Sequence, residues 1–352
     1  MQMLVSRIPR FSAGIPPLSP HADLVEEQTR DWAEQFGIIG DATLFGRMRY
    51  GRCAAYAYPR SSPEVLTVCA QWIAWGFLLD DQHTRVLGAD STSWAHAVAR
   101  LRPSFTDTPA QQTEPTGTGF EQATTDLCRR TRAAMSPSQW DRFVAGVLRY
   151  IEGMRQECSL RHQEQPTIEQ YTAVRQLSVG LDFYVVLVEL EEQADLPPEV
   201  HTTEVWNDVV GAISMVFAWS NDLVSHAAED ASGEINNLVI VARQELGITT
   251  PQAIDYAREH LTATMAHFID AEWRLPRELA YAGAHPAHIQ AAQRCATSLR
   301  DVTDGCLAWC EETYRYQYHL DCAQGRAHEH ESLLAPRRAD VDRSLPAELV
   351  GR

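Results

Sequence analysis

Asn221, Ser225 and Glu229 stand four residues apart, a spacing that sets an amide oxygen, a hydroxyl and a carboxylate on one face of a helix. All three are hard oxygen donors. Far upstream, Asp80 and Asp81 close the apolar run Trp72-Ile73-Ala74-Trp75-Gly76-Phe77-Leu78-Leu79 and open the patch Asp80-Asp81-Gln82-His83-Thr84. Acids at the carboxyl end of a helix oppose its dipole and so ask for a compensating cation. Magnesium takes oxygen ligands octahedrally, keeps some waters, and is commonly shared between a few carboxylates and a substrate phosphate. The two patches therefore read as halves of one magnesium site, with a diphosphate as the natural third party. The apolar run beneath the first patch implies a hydrophobic pocket below a metal-bound head group.

At these positions the chain resembles the bacterial class I terpene synthases of the sesquiterpene cyclase type, which carry an aspartate-rich motif and a downstream N-D-x-x-S-x-x-x-E motif. The second motif is present in full from Asn221 to Glu229. Arg175 within residues 171–180, the pair Arg315-Tyr316, and the opening Pro20-His21-Ala22-Asp23 with Trp32 and Phe36-Gly37 are similar to further family marks. The resemblance spans roughly residues 18–320. It implies that Asp80 ligates magnesium directly and that Asp81 holds Arg315 rather than metal. Asn221, Ser225 and Glu229 would bind a further ion from the opposite side, with three magnesium ions in all. Arg175 would sense the diphosphate, with Ser178 at the linker position and the Val179 carbonyl as the group that moves toward substrate. Asn221, Arg315 and Tyr316 would also meet the diphosphate, the last two as hydrogen-bond donors when the site closes.

Three departures stand out. The fuller aspartate-rich motif has an acid where this chain has Thr84, a lysine often precedes the motif glutamate where this chain has Ala228, and the linker position often carries an acid where this chain has Ser178. None removes a metal ligand, so activity is expected.

The chemistry implied is ionisation of an allylic diphosphate, with its leaving charge stabilised by magnesium and arginine. The cation left behind needs an apolar, closed pocket with aromatic faces. Phe77 and Phe217, each about one turn before a metal motif, are the leading wall candidates; Tyr56, Trp72, Phe183, Trp219 and Trp309 are others. Farnesyl diphosphate is the expected substrate, with geranyl and geranylgeranyl diphosphate as alternatives. A chain-elongating prenyltransferase would normally carry a second aspartate-rich motif where Asn221-Asp222 and Ser225 stand here. A di-iron bundle needs E-x-x-H pairs, and His162-Gln163-Glu164 has the wrong spacing and order. A non-catalytic isoprenoid diphosphate binder is the alternative of a different class.

The elements needed to position these groups are helical. Periodicity predicts helices over 22–36, 63–80, 137–159, 167–191, 204–229, 251–273 and 287–318, and the resemblance implies that they form one all-α bundle around a central hydrophobic cavity. Residues 1–20, with Pro9, Pro16, Pro17 and Pro20, read as an irregular arm, 21–320 as the catalytic domain and 321–352 as a disordered tail. Pro103 to Gly119 reads as a long surface loop. In the tail, His328-Glu329-His330 is read as a solvated stretch rather than a metal site. The 352 residues are 45% hydrophobic, enough to bury a large core. A formal charge of −17, with no basic stripe to offset it, argues against nucleic acid as a partner. The chain contains no lysine, so any anion must be gripped by arginine, whose planar fork suits diphosphate oxygens. The eight cysteines show no paired metal spacing and read as free thiols. No apolar run is long enough to span a bilayer, and a cytoplasmic protein, with a homodimer allowed, is expected.

Overall fold

Most helices of this chain begin at a side chain that caps them. Ser62 accepts from the Val65 amide ahead of Pro63, and Thr118, Ser136 and Thr167 each form a reciprocal capping box with the residue three places on. The computed structural model describes residues 5–14, 16–87, 90–106, 117–163, 165–328 and 332–334. Its elements are α1 (Ala22–Gln35), α2 (Ala42–Met48), α3 (Tyr50–Ala57), α4 (Pro63–Asp81), a π-helical segment (Gln82–Leu87), α5 (Ser91–Thr106), α6 (Gly119–Ala134) and α7 (Pro137–Arg161). There follow α8 (Ile168–Ser178), α9 (Leu181–Glu191), α10 (Pro198–His201), α11 (Glu204–Ser232), α12 (Leu238–Leu246), α13 (Thr250–Tyr281), α14 (Pro286–Glu312) and α15 (Arg315–Ala323). Among the described residues there is no strand, and the architecture is the all-α bundle that the resemblance implies. No helix among them is long and apolar enough to cross a membrane.

Helix α4 is buried almost all round. Trp72 and Trp75 are fully buried and meet edge-on at 5.1 Å, surrounded by Phe105, Phe120, Phe143 and Phe183. Their indole N–H groups donate to Thr131 Oγ1 (2.8 Å) and Thr124 Oγ1 (2.9 Å), so neither polar atom is stranded. Each such aromatic, fully buried, contributes about 1.5–3 kcal/mol relative to exposure. This cluster anchors α4, whose carboxyl end carries Asp80 and Asp81. Helix α11 lies along α13 and brings Asn221 to Glu229 opposite that end.

The long helix expected over 167–191 is two helices. Val179 caps α8, and Gly180 turns the chain at φ 71°, in the left-handed region. A Cβ on Gly180 would also sit 2.7 Å from the Tyr150 ring, so both space and dihedral require glycine. The helix expected over 287–318 divides as well. Thr313 is extended (ψ 147°), donating its hydroxyl to Met48 O at 2.9 Å and accepting from the Arg315 amide at 3.1 Å. Arg315 thereby starts a new helix.

The described parts of both terminal segments pack against the bundle. Val5 and Ile8 are buried, and the amides of Phe11 and Ser12 donate to the Asp304 carboxylate at 3.0 and 2.7 Å. Helix α15 runs to Ala323, the Leu333 amide donates to Gln82 Oε1 at 2.8 Å, and Leu334 is buried. Helix α5 extends through Pro103 to Thr106, which shortens the expected loop; residues 107–116 of that loop lie outside the described residues, as do Glu329, His330 and 335–352.

Candidate functional site

The end of α4, the π-helical segment, α7, α8, α11 and α15 enclose a polar basin. On one wall, Arg315 donates from Nη1 to Asp81 Oδ2 (2.7 Å) and from Nη2 to Asp81 Oδ1 (2.8 Å), the two-pronged geometry that suits guanidinium and carboxylate. The same Nη2 reaches Asp80 Oδ2 at 3.0 Å. Asp81 is buried, whereas the Asp80 side chain is 48% exposed and faces the basin. His319 Nε2 lies 3.1 Å from Asp81 Oδ1. Burial, then the charge of Arg315, push that imidazole down to about 3 against the pull of Asp81, so it is neutral at physiological pH.

On the facing wall, Arg175 Nη2 donates to Asn221 Oδ1 (2.8 Å) and Arg175 Nε to Asp222 Oδ1 (3.1 Å). Asp222 is buried, and its other oxygen accepts from Tyr171 Oη (2.7 Å) and the Leu238 amide (2.9 Å). Asn221 Nδ2 donates to Tyr316 Oη at 3.2 Å, which ties α11 to α15. Ser225 Oγ donates to Asn221 O (2.9 Å), and Asn237 Nδ2 donates to Glu229 Oε2 (2.7 Å). Burial, with the nearby Asp222 charge adding to it, raises the Glu229 carboxyl to about 8, against the pull of Asn237 and Arg175. Burial likewise lifts Glu157 to about 7, opposed by Arg161 and Arg175.

Asp80, Phe77, Arg175 and Asn221 line the basin and also a second, mainly apolar cavity beneath it, so the two spaces meet at these side chains. Phe217, Ile73, Leu181 and Val302 supply apolar wall, and Ser178 and Val179 reach it from the α8–α9 break. Phe77, Tyr50 and Trp309 form a three-ring cluster, with Phe77 5.5 Å from Tyr50 and 5.0 Å from Trp309 and the Arg315 guanidinium 4.5 Å from its centroid. Trp309 and Tyr316 border an adjoining recess with Phe217. A roomier groove lies behind Asp81, between residues 38–48 and Tyr314, Tyr318 and Leu333, but neither Asp80 nor Arg315 lines it.

Several aromatics proposed as cavity wall lie elsewhere. Trp72 and Phe183 belong to the packed cluster of α4, Trp219 packs 6.3 Å from Tyr171, and Tyr56 donates to Glu312 Oε1 at 2.7 Å. Tyr58, Tyr150 and Tyr184 line the cavity in their place. Tyr184 reaches it because residue 76 is glycine: a Cβ there would stand 2.7 Å from the Tyr184 hydroxyl, which donates to Trp72 O at 3.2 Å. In the basin, sequence reasoning missed Arg85, Glu157, Arg161, Glu234 and His319. The signal available was the i,i+4 spacing of Glu157 and Arg161, which marks a shared helix face but not what the face meets.

Among the described residues, no three His, Cys, Asp or Glu side chains converge closely enough to hold an ion by themselves. The donors at hand are oxygens on two facing walls, Asp80 on one and Asn221, Ser225 and Glu229 on the other. That set fits magnesium shared with a phosphate ligand and suits zinc or copper poorly.

Residues 71–267 match the family described as terpene synthase family 2, C-terminal metal binding. A (+)-T-muurolol synthase of Roseiflexus castenholzii, described as cyclizing (2E,6E)-farnesyl diphosphate, is 33% identical over 72% of this chain and 78% of its own. Pristinol synthase of Streptomyces pristinaespiralis is 28% identical over 85% of this chain and 82% of its own. Among solved structures, wild-type cucumene synthase superposes with a TM-score of 0.73 at 22% identity, covering 86% of this chain and 100% of that one. Hedycaryol synthase in complex with nerolidol gives 0.71 at 23% identity, over 86% and 99%.

Proposed function

This chain belongs to the bacterial class I terpene synthases, and on that premise we propose that it ionises farnesyl diphosphate with magnesium and cyclises the cation to a sesquiterpene. The observation that carries the reading is the meeting of the two spaces. Asp80, Arg175 and Asn221 border both the polar basin and the apolar cavity, so a molecule with a charged head and a hydrocarbon tail can span the junction.

Asp80, and Asn221, Ser225 and Glu229, would hold the magnesium, three ions by family resemblance, which when bound supplies charge neutralisation to the leaving diphosphate. The protein's own share of the chemistry is to hold the head group and shelter the cation. Arg175, Arg315 and Tyr316 stand around the basin as donors to the diphosphate, Asn221 lying between Arg175 and Tyr316. The allylic C–O bond breaks with both electrons leaving on the diphosphate. The tail, folded in the cavity, then closes on itself, and the cation ends by losing a proton or gaining water. Phe77 and Phe217 line the cavity and would lend their aromatic rings to the positive charge, and the apolar wall would keep water away until the ring has closed. The Val179 carbonyl, directly after the linker residue Ser178 at the break between α8 and α9, is the backbone group that would move toward the substrate. We assign the catalytic unit to residues 21–320; the last helix, α15, runs on to Ala323.

The test is incubation of purified protein with magnesium and, separately, geranyl, farnesyl and geranylgeranyl diphosphate, followed by gas chromatography with mass detection. A cyclic C15 hydrocarbon or alcohol from farnesyl diphosphate, absent with chelator and in Asn221→Ala, is the expected result. Product from the C20 substrate alone would reassign the chain length. Bound diphosphate with no product from any substrate would leave a binder without turnover.

A further inference from the structure

Four guanidinium groups line the polar basin: Arg85, Arg161, Arg175 and Arg315. Three of them are committed to acids. Arg315 is forked on Asp81 and touches Asp80, and Arg175 lies 2.9 Å from Asp222. Arg161 pairs with Glu234 at 2.7 Å and lies 3.8 Å from Glu157. Arg85 differs. It is half-buried in the basin wall, yet among the described residues it has neither an ion pair nor a hydrogen bond.

Its placement follows from the local backbone. Residues Gln82–Leu87 form a π-helical segment directly after Asp81. A π turn takes more residues than an α turn, and such segments are frequent at functional sites. The wider turn brings Arg85, five residues beyond Asp80, round to the side of the basin that Asp80 faces. Leu333 fastens this segment from behind through its amide on Gln82 Oε1 (2.8 Å), and His83, in the same segment, is buried against Trp94 at 4.7 Å. The backbone that carries Arg85 is thus held at two points, while its guanidinium, whose charge acts on Asp80, has no hydrogen bond or ion pair among the described residues. Across the basin, α11 presents Ala228, which offers no charge.

Arg175, Arg315 and Arg161 can offer a bound anion only the N–H groups that their carboxylate partners leave over. Arg85 can donate two parallel N–H groups without breaking any pair, and the guanidinium fork matches phosphate oxygens. We infer that Arg85 is a further diphosphate-binding residue, gripping the head group from the wall of the π-helical segment. The inference rests on the reading of the basin as a diphosphate site.

Calorimetric titration of inorganic diphosphate in excess magnesium tests it, with wild type, Arg85→Gln, Arg85→Lys and, as a charge control, the exposed Arg30→Gln. Circular dichroism and melting temperature establish that each variant is folded. The expected result is at least tenfold weaker binding in Arg85→Gln, partial recovery in Arg85→Lys, no change in Arg30→Gln, and a raised KM for farnesyl diphosphate in Arg85→Gln. Arg85→Gln binding within twofold of wild type, or Arg30→Gln losing as much, would overturn the assignment while leaving the diphosphate site intact. Failure of the wild type itself to bind diphosphate would remove the premise instead.

Discussion

Asp222 stands 2.9 Å from the Arg175 guanidinium, buried behind it, with its second oxygen held by Tyr171 and the Leu238 amide. The motif residue that is not itself a proposed metal ligand is thus the strut for the arginine that faces the cavity mouth. Asp222→Asn keeps the shape and removes the charge, leaving Arg175 short of a partner in a buried setting. We expect kcat to fall about 10²-fold, the scale of losing one positioned donor to a leaving anion. The melting temperature should drop as well, since removing the charge of one partner in a buried pair costs on the order of 3 kcal/mol. Steady-state kinetics and thermal unfolding read both; a kcat within threefold of wild type would contradict the strut role.

From the proposed ligand role of Glu229 we predict that metal loading is proton-linked. Its carboxyl rises from an ordinary 4.5 to about 8 through burial, so the folded protein holds that proton more tightly than the unfolded chain. The sign follows: its contribution to stability is fully present below about pH 4.5 and is lost as pH rises through 8. Binding magnesium and diphosphate must expel the proton. Affinity should therefore climb between pH 6 and 8 and level off above, with proton release at pH 7 seen as buffer-dependent heat. Glu157, raised to about 7, titrates in the same window, so Glu229→Gln should reduce the release without abolishing it. Heat of binding identical in buffers of different ionisation enthalpy would rule the linkage out.

Gly76 sets the cavity contour through Tyr184. In Gly76→Ala the new methyl stands 2.7 Å from the Tyr184 hydroxyl and must drive it off Trp72 O. The ring carrying that hydroxyl lines the cavity, so the folded shape of the substrate tail changes. The expected outcome is an altered product ratio by gas chromatography, with diphosphate release slowed less than about tenfold because no head-group contact is touched. An unchanged product profile in a folded variant would show that Tyr184 does not shape the reacting chain.

Phe77 connects the two spaces electrostatically. Its ring carries the Arg315 guanidinium at 4.5 Å and stacks on Tyr50 and Trp309. Phe77→Leu keeps apolar volume and discards the ring face. A cation–π contact is worth about 0.5–2 kcal/mol, so kcat/KM should fall by about 2- to 30-fold. If the loss reflects Arg315 alone, inorganic diphosphate binding weakens in parallel. Diphosphate affinity unchanged with kcat reduced would locate the effect at the carbocation.

Residue types and short spacings by themselves determined the all-α class and the donor chemistry of the site, because both depend on which side chains recur along one helix. Asn221, Ser225 and Glu229 share a face by helical geometry alone, and caps such as Ser136 with Gln139 are local events. Only the tertiary structure decided what those faces meet. The periodic run 167–191 gives no sign that Gly180 turns left-handed, because the requirement comes from the Tyr150 ring on another helix. Trp72 and Phe77 are both aromatics of α4, yet Trp72 fills the core and Phe77 the cavity, since the helix is enclosed on every side and periodicity cannot tell its faces apart. Asp81 with Arg315 is the pair that the family resemblance implies, whereas Asp222 with Arg175 is not anticipated: with so many arginines and carboxylates available, spacing cannot name which distant partner each will meet. Packing makes that choice, and with it leaves Arg85, on the basin wall, without an ion pair among the described residues.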